Sequence, residues 1–191
     1  MRAPEFSLSA TENAETGSRL THYTRVFVSE QLRCIQLRHA IRRWLPVFSF
    51  PAQHHANISL VAMELCSNAL EHGLLGLDSN LKNQVGWDAY AALYERRLQQ
   101  LRDGHIVIRI AYHATETKHQ VACTVADTGK GFDTTQLRVQ TPSAQRLAGR
   151  GITLLNGLCS RVDFNERGNI ATALYEWEDE DDFAPAFRSE L

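Results

Sequence analysis

The chain lacks the features that place a protein in a membrane or outside the cell. None of its apolar runs approaches the roughly 20 residues that a membrane-spanning helix needs. Its first residues contain no apolar stretch of the kind found in signal peptides. The four cysteines are scattered and form no C-x-x-C pair, so we expect core thiols in a reducing compartment, not a zinc or disulfide site. These absences predict a cytoplasmic protein.

The chain also lacks an excess of basic residues. Its formal net charge is -2, which argues against nucleic acid as a partner, because phosphate binding requires clustered lysine and arginine. Neither the phosphate-binding pattern G-x-x-x-x-G-K-[ST] nor the dinucleotide pattern G-x-G-x-x-G occurs. With 191 residues, of which 43% are apolar, the chain can form one domain with a full core.

What is present predicts a single domain over residues 19–178, between a flexible leader at 1–18 and an acidic tail at 179–191. Apolar periodicity and turn residues give the elements. We expect strands at 20–28, 105–113, 119–126, 162–164 and 170–177, and helices at 29–45, 52–71, 87–101 and 151–160. Ser29 is the expected N-cap of the first helix. This order predicts an α+β fold, a two-layer sandwich with helices on one face of a mixed, mostly antiparallel sheet.

The first motif is Glu64-x-x-x-Asn68-x-x-x-His72. Four residues advance an α-helix by about 400°, so the three side chains line one helical face. Asn68 offers a neutral oxygen to a hard cation such as Mg²⁺, and Glu64 can accept a proton from a nucleophile near the same ion. Alone, the pattern is also compatible with a solvated polar face.

The second motif, Asp127-Thr-Gly129-Lys-Gly131, follows a strand-like run. A carboxylate at a strand end can accept a hydrogen bond from the exocyclic amine of adenine, and the glycines permit a close approach. The third motif, Gly149-Arg150-Gly151, opens a helix, whose free N–H groups suit phosphate. Arg150, or Arg146 in the preceding loop, can reach a terminal phosphate. Together the three motifs predict a site for ATP and Mg²⁺.

With these motifs the chain resembles the GHKL ATPases, and more closely the bacterial anti-sigma-factor serine kinases. The stretch from Glu64 to Gly73 is similar to their N box. Asp127–Phe132 and Gly149–Leu155 are similar to their two glycine boxes, and the segment 37–45 to their first helix. The resemblance implies a Bergerat-like ATP-binding sandwich with a lid at about 133–148.

The resemblance also implies roles for individual residues. Glu64 is the expected catalytic base and Asn68 the Mg²⁺ ligand, while Thr172 is expected near adenine and Arg38 against the partner. The remaining expected nucleotide-binding residues are His72, Asp127, Gly129, Gly131, Arg146, Gly149, Arg150 and Gly151. The implied reaction is transfer of the γ-phosphoryl group of ATP to a serine or threonine of an anti-anti-sigma protein of the STAS type.

Other partners and functions stay open at this point. The resemblance allows a sigma factor as a second partner, a homodimer, and a place behind a receiver and a serine phosphatase in a longer protein. One alternative is a histidine-kinase catalytic module, although His39 is followed by Ala40 and not by an acid. Another is a non-catalytic, nucleotide-dependent module that sequesters a sigma factor or a STAS protein.

The segment 74–104 separates the first two motifs. Trp87, Tyr90, Tyr94, Leu98 and Leu101 form the stripe of an amphipathic helix. The resemblance implies only a brief connection here. The segment is therefore a helical insertion, which either covers the sheet or the nucleotide site, or alters dimerisation or partner choice.

Overall fold

The computed structural model describes residues 6–13, 18–48, 50–78, 81–131 and 150–179. The strands are β1 Phe6–Asn13, β2 Ser18–Val28, β3 His105–Ala114, β4 Lys118–Asp127, β5 Arg161–Phe164 and β6 Ile170–Glu178. The α-helices are α1 Ser29–Leu32, α2 Leu37–Trp44, α3 Ala52–Asn68, α4 Leu81–Val85, α5 Trp87–Gln100 and α6 Arg150–Leu158. A 3-10 turn, Leu45–Val47, follows α2, and a π-helical turn, Ala69–Leu74, follows α3.

The six strands form one antiparallel sheet in the order β1-β2-β3-β4-β6-β5. Strand residues alternate between the two faces of a sheet. In β3 the buried positions are Ile106, Ile108, Ile110 and Tyr112, and the three isoleucines are 0% exposed. On the same face of β2, Phe27 stacks on Trp44 of α2 with 5.2 Å between ring centroids. The α+β fold class with helices against this face is confirmed.

The leader is the main correction to the predicted fold. Residues 6–13 form β1, which pairs with β2 from Phe6 opposite Arg25 to Asn13 opposite Ser18. The flexible segment predicted for 1–18 is therefore wrong for 6–13. Phe6, Leu8 and Ala10 alternate with polar residues, a short strand signal that the prediction of a flexible segment overlooked.

The first predicted helix is divided. It consists of α1 and α2 with a turn between them, and the N-cap of α1 is Val28, not Ser29. Ser29 instead joins the helix start to the segment before β3, because its Oγ donates to the Arg102 carbonyl over 2.8 Å and its N–H to the Gly104 carbonyl over 3.0 Å. No helix of the described residues is both long and apolar enough to cross a membrane.

Two of the four thiols occupy the core as predicted. Cys66 and Cys123 are buried, and burial raises the pKa of Cys66 to about 12. Such thiols are unreactive at neutral pH. Cys34 is exposed in the turn between α1 and α2, so for this residue the expectation of a core position is wrong.

Candidate functional site

The first motif lies where α3 gives way to the π-helical turn. Glu64 and Asn68 are one turn apart in α3, whereas His72 lies in the wider turn, in which the Leu75 N–H bonds to the Leu70 carbonyl. The His72 Nδ1 is 2.5 Å from the Leu77 carbonyl oxygen. The predicted α-helix through residue 71 is thus wrong beyond Asn68. This hydrogen bond holds the segment 75–77, which follows the π-helical turn, against His72.

The second motif is packed directly against this π-helical turn. A Cβ atom on Gly73 would lie 2.5 Å from the Cγ and Oδ1 atoms of Asp127. A Cβ atom on Gly129 would overlap the Gly73 carbonyl oxygen. The glycines therefore let two backbone segments close around one carboxylate. Turns of π type are frequent at functional sites, and this one delivers Gly73 to Asp127.

Asp127 is held for hydrogen bonding at the end of β4. It is 8% exposed, and its Oδ1 accepts the Gly129 N–H over 2.7 Å. Burial raises the pKa of Asp127, while the Gly129 hydrogen bond and the charge of Arg167 oppose that rise. A carboxylate fixed through one oxygen retains further lone pairs, which suit an amine such as that of adenine.

Sequence reasoning missed the residues that brace this glycine turn from the β5–β6 hairpin. Asn169 donates to the Asp127 carbonyl over 2.8 Å, and Arg167 donates to the Gly129 carbonyl over 3.0 Å. Gly131 has φ +78°, and a Cβ atom there would overlap the Arg167 carbonyl oxygen. The signal in the sequence was weak, because a polar hairpin loop is usual between strands.

The third motif meets the first at the start of α6. A Cβ atom on Gly151 would overlap the Glu64 carboxylate, so this glycine lets the helix N-terminus approach Glu64. Arg150 begins α6, and only its backbone is described. Arg146 and Gly149, together with the lid predicted at about 133–148, lie outside the described residues.

Glu64 is half-buried and stands in a mixed electrostatic field. Burial raises the pKa of the Glu64 carboxyl, and the nearby Glu71 carboxylate raises it further. The charges of Lys82, His72 and Arg38 act in the opposite direction. A carboxylate whose pKa is moved toward neutrality is a better proton acceptor at physiological pH. The site therefore combines a poised carboxylate with a helix N-terminus.

The helical insertion contributes to that field. Lys82 of α4 donates to Glu71 Oε2 over 2.9 Å, and the Tyr90 hydroxyl of α5 donates to the same oxygen. Arg97 fastens α5 by donating to the carbonyls of Leu75 and Gly76, each over 2.7 Å. The insertion thus packs beside the end of α3 and supplies a charge near Glu64.

Thr172 does not lie beside Asp127. Its Oγ1 is 3.0 Å from that of Thr124, its direct partner on β4. Within β4 the buried positions are Val121, Cys123, Val125 and Asp127. Because neighbouring strand residues point to opposite faces, Thr124 and Thr172 are on the outer face of the sheet. Thr172 thus lies on the face of the sheet opposite to the Asp127 side chain, a position that does not favour the predicted place of Thr172 near adenine, which stays a prediction.

The position of Thr172 on the outer face has a direct test in Thr172→Val. We expect ATP affinity to stay within about twofold of wild type, as for a surface substitution away from the site. Loss of the hydrogen bond to Thr124 should lower the free energy of unfolding by about 1 kcal/mol. Calorimetric ATP titration and urea unfolding measure the two effects, with Thr124→Val as the matched control. A tenfold loss of ATP affinity in Thr172→Val alone would restore the original assignment.

The comparison with protein families decides what this site belongs to. The model of the histidine kinase-like ATPase domain matches residues 27–174, which is more than half of the chain. The chain belongs to this histidine kinase-like ATPase family. Its domains bind ATP, typically with Mg²⁺. A comparison with curated proteins gives no significant match. The matched region contains all three motifs, the helical insertion, β3 to β5, the last two residues of β2 and the first five of β6.

The residues present fit the nucleotide that this histidine kinase-like ATPase family binds. Asp127 presents a carboxylate in a cradle that a Cβ atom on Gly73 or Gly129 would fill. At the other end, Gly151 lets the N-terminus of α6 lie against the Glu64 carboxylate. Asn68 lies on α3 between these two ends, and no described residue hydrogen-bonds its side chain. Its amide oxygen can therefore serve as a ligand of a Mg²⁺ ion that otherwise binds water and phosphate.

Proposed function

We propose that the protein is a serine/threonine-protein kinase that phosphorylates an anti-anti-sigma protein of the STAS type. The single observation that carries the proposal is the Glu64 carboxylate. It is half-buried, its pKa is raised, and it lies against Gly151 at the N-terminus of α6. A general base next to a phosphate-binding helix start is what transfer to a hydroxyl requires.

In this proposal each residue has one task. Glu64 takes the proton of the acceptor hydroxyl. The hydroxyl oxygen forms a bond to the γ-phosphorus of ATP, and the bond between this phosphorus and the leaving ADP oxygen breaks. Asn68 helps to hold Mg²⁺, which neutralises phosphate charge when bound. Asp127 fixes adenine, and the backbone N–H groups at Gly151 face the phosphates. Since phosphoryl transfer depends mainly on positioning and charge stabilisation, these few groups suffice.

The acceptor protein is proposed to approach along α2. Arg38 is exposed on this helix, and its charge acts on Glu64. An exposed cation beside the base can pair with an acidic group of the partner and steer the hydroxyl toward Glu64. This is the support for a protein acceptor over a small molecule.

The proposal is tested by incubating the protein with a STAS protein, Mg²⁺ and radiolabelled ATP. The expected product is acid-stable phosphoserine or phosphothreonine on the STAS protein. Label that is acid-labile and stays on this chain would instead indicate a histidine-kinase module. Tight, ATP-dependent complex formation without transfer would indicate a sequestering module. Either of the last two outcomes rejects the kinase proposal.

The pH profile of this transfer should respond to the insertion. Only ionised Glu64 can act as base, so the rate rises as pH passes through its pKa. Lys82→Met removes a cation that lowers the pKa of Glu64, so the acid limb should move to higher pH. Glu71→Gln removes an anion that raises it, so the limb should move to lower pH. Single-turnover rates between pH 5 and 9 measure both shifts. If the acid limb moved in the same direction in the two variants, the assignment of Glu64 as the base would be contradicted.

A further inference from the structure

A cavity with two arginines in its lining lies between α2 and β2, apart from the candidate nucleotide site. It has a volume of about 670 Å³ and is lined by residues that include Arg25, Cys34, Ile35, His39, Arg43 and Trp44. That volume is within the range of about 300–1,000 Å³ typical of small-ligand sites. None of the residues that line it belongs to the three motifs or to the surroundings of Glu64.

Arg25 is the most unusual residue of this cavity. Its guanidinium carbon is 4.9 Å from the ring centroids of both Phe27 and Trp44. Its Nε is buried and has no hydrogen-bond partner among the described residues, and none of their ion pairs includes Arg25. A partly buried cation without an anion is unfavourable unless a partner compensates it. The two rings also fix the orientation of the planar Arg25 guanidinium, whose N–H donors match the geometry of a carboxylate.

Two more basic residues extend this positive surface. His39 and Arg43 are four residues apart on α2 and thus on one helical face. Both are exposed, and the described residues that line the cavity include no acidic one. Arg38 and Arg42 do not line it, and the charge of Arg38 acts on Glu64 instead. The helix therefore separates two positive surfaces with different surroundings.

The apolar part of the lining restricts the anion. Ile35 and Ala40 line the cavity and are half-buried, so a hydrated inorganic ion would leave their exposed apolar surface in contact with water. We propose that this cavity binds an organic carboxylate, a carboxylate attached to an apolar group. Arg25 and Arg43 bind the carboxylate, and Ile35 and Ala40 contact the apolar group. The source is either a small molecule or a glutamate side chain of a protein.

The test is a titration of the full chain with benzoate, followed by backbone amide NMR. We expect shifts in α2 and around Arg25, and at least tenfold weaker binding of the neutral, equally shaped benzamide. Arg25→Met, which keeps a long apolar stem, should weaken benzoate binding at least tenfold, or about 1.4 kcal/mol. ATP binding with Mg²⁺ should be unchanged in the same variant.

A pair of neighbouring exposed arginines provides the matched control and does not depend on the folding of Arg25→Met. Arg43→Gln should weaken benzoate binding, whereas Arg42→Gln, one residue away and outside the lining, should not. Equal effects of the two substitutions would overturn the proposal, because the net positive charge of α2, and not the cavity, would then explain benzoate binding. Absence of benzoate shifts in α2, or inorganic phosphate binding as tightly as benzoate, would also overturn it.

The two sources are separated by a short acetylated and amidated peptide, Ala-Glu-Leu, and its glutamine counterpart. Tighter binding of the glutamate peptide than of benzoate assigns the cavity to a protein side chain. Tighter binding of benzoate assigns it to a small molecule. Either result supports the carboxylate site, provided that the glutamine peptide binds more weakly than the glutamate peptide.

Discussion

Replacement of Glu64 by glutamine is expected to abolish phosphoryl transfer while ATP binding with Mg²⁺ is retained. Glutamine keeps the size of the side chain and its contact with Gly151, but it cannot accept the hydroxyl proton. General-base catalysis contributes about 10²–10⁴-fold to a rate, and we expect a loss in this range. The rate is measured as single-turnover transfer from radiolabelled ATP to a STAS protein.

Glu95→Gln is the matched control for this result, because Glu95 is exposed on α5 and outside the three motifs. It should transfer at the wild-type rate. Unchanged transfer by Glu64→Gln would show that another group is the base and would remove the main support for the proposed function. Loss of ATP binding in the variant would instead assign Glu64 to nucleotide binding.

The same variant should be more stable than wild type at neutral and alkaline pH. The pKa of Glu64 is raised in the folded chain, so its proton binds more tightly there than in the unfolded chain, and the ionised form disfavours folding. This cost is absent below the unfolded pKa of about 4.3 and grows as pH rises through the folded pKa. Urea unfolding at pH 4 and pH 8 should show the difference only at pH 8.

Gly73→Ala is expected to have the second large effect, a loss of ATP affinity of at least about tenfold. The added Cβ would lie 2.5 Å from Asp127 Cγ and Oδ1, so the carboxylate must leave its place. Overpacking of this kind typically costs about 1–3 kcal/mol of stability. Alanine is otherwise the better helix former, so any loss is due to this contact. Calorimetric ATP titration and urea unfolding measure the two quantities.

Gly157 of α6 provides a control with the same substitution. A Cβ atom there would meet nothing within 4 Å. Gly157→Ala should therefore raise the free energy of unfolding by about 0.5–1 kcal/mol through helix propensity and leave ATP affinity unchanged. If Gly73→Ala bound ATP as well as Gly157→Ala does, the close contact between the π-helical turn and Asp127 would not matter for the nucleotide.

The elements that sequence patterns predicted well are those with strong apolar periodicity. The strands β3 and β4 and the helix α5 begin and end within two residues of their predicted bounds, because alternate or helically spaced apolar residues are buried in each. Strand β1 was missed because its apolar alternation is short, from Phe6 to Ala10, and leads into the polar residues 11–13. The π-helical turn was missed because the same residues also suit an α-helix.

Thr172 shows why a short motif cannot place a side chain in a strand. A displacement by one residue moves a side chain to the other face of the sheet, and only the pairing with Thr124 reveals which face it occupies. Gly73 ends the stretch that is similar to the N box, and its close approach to Asp127 depends on packing between segments that are more than fifty residues apart. The cavity beside Arg25 likewise has no local signal.

The sequence by itself determined the three motifs, their order, and the fold class, because periodicity and glycine placement are local properties of the chain. These were enough to predict a site for ATP and Mg²⁺, and the resemblance that the motifs carry indicated a GHKL-type ATPase domain. Only the tertiary structure decided which residues meet: Gly73 with Asp127, Gly151 with Glu64, and Lys82 of the insertion with Glu71. The reason is physical, since burial, charge and close contact arise between segments distant in sequence and exist only after the chain has folded.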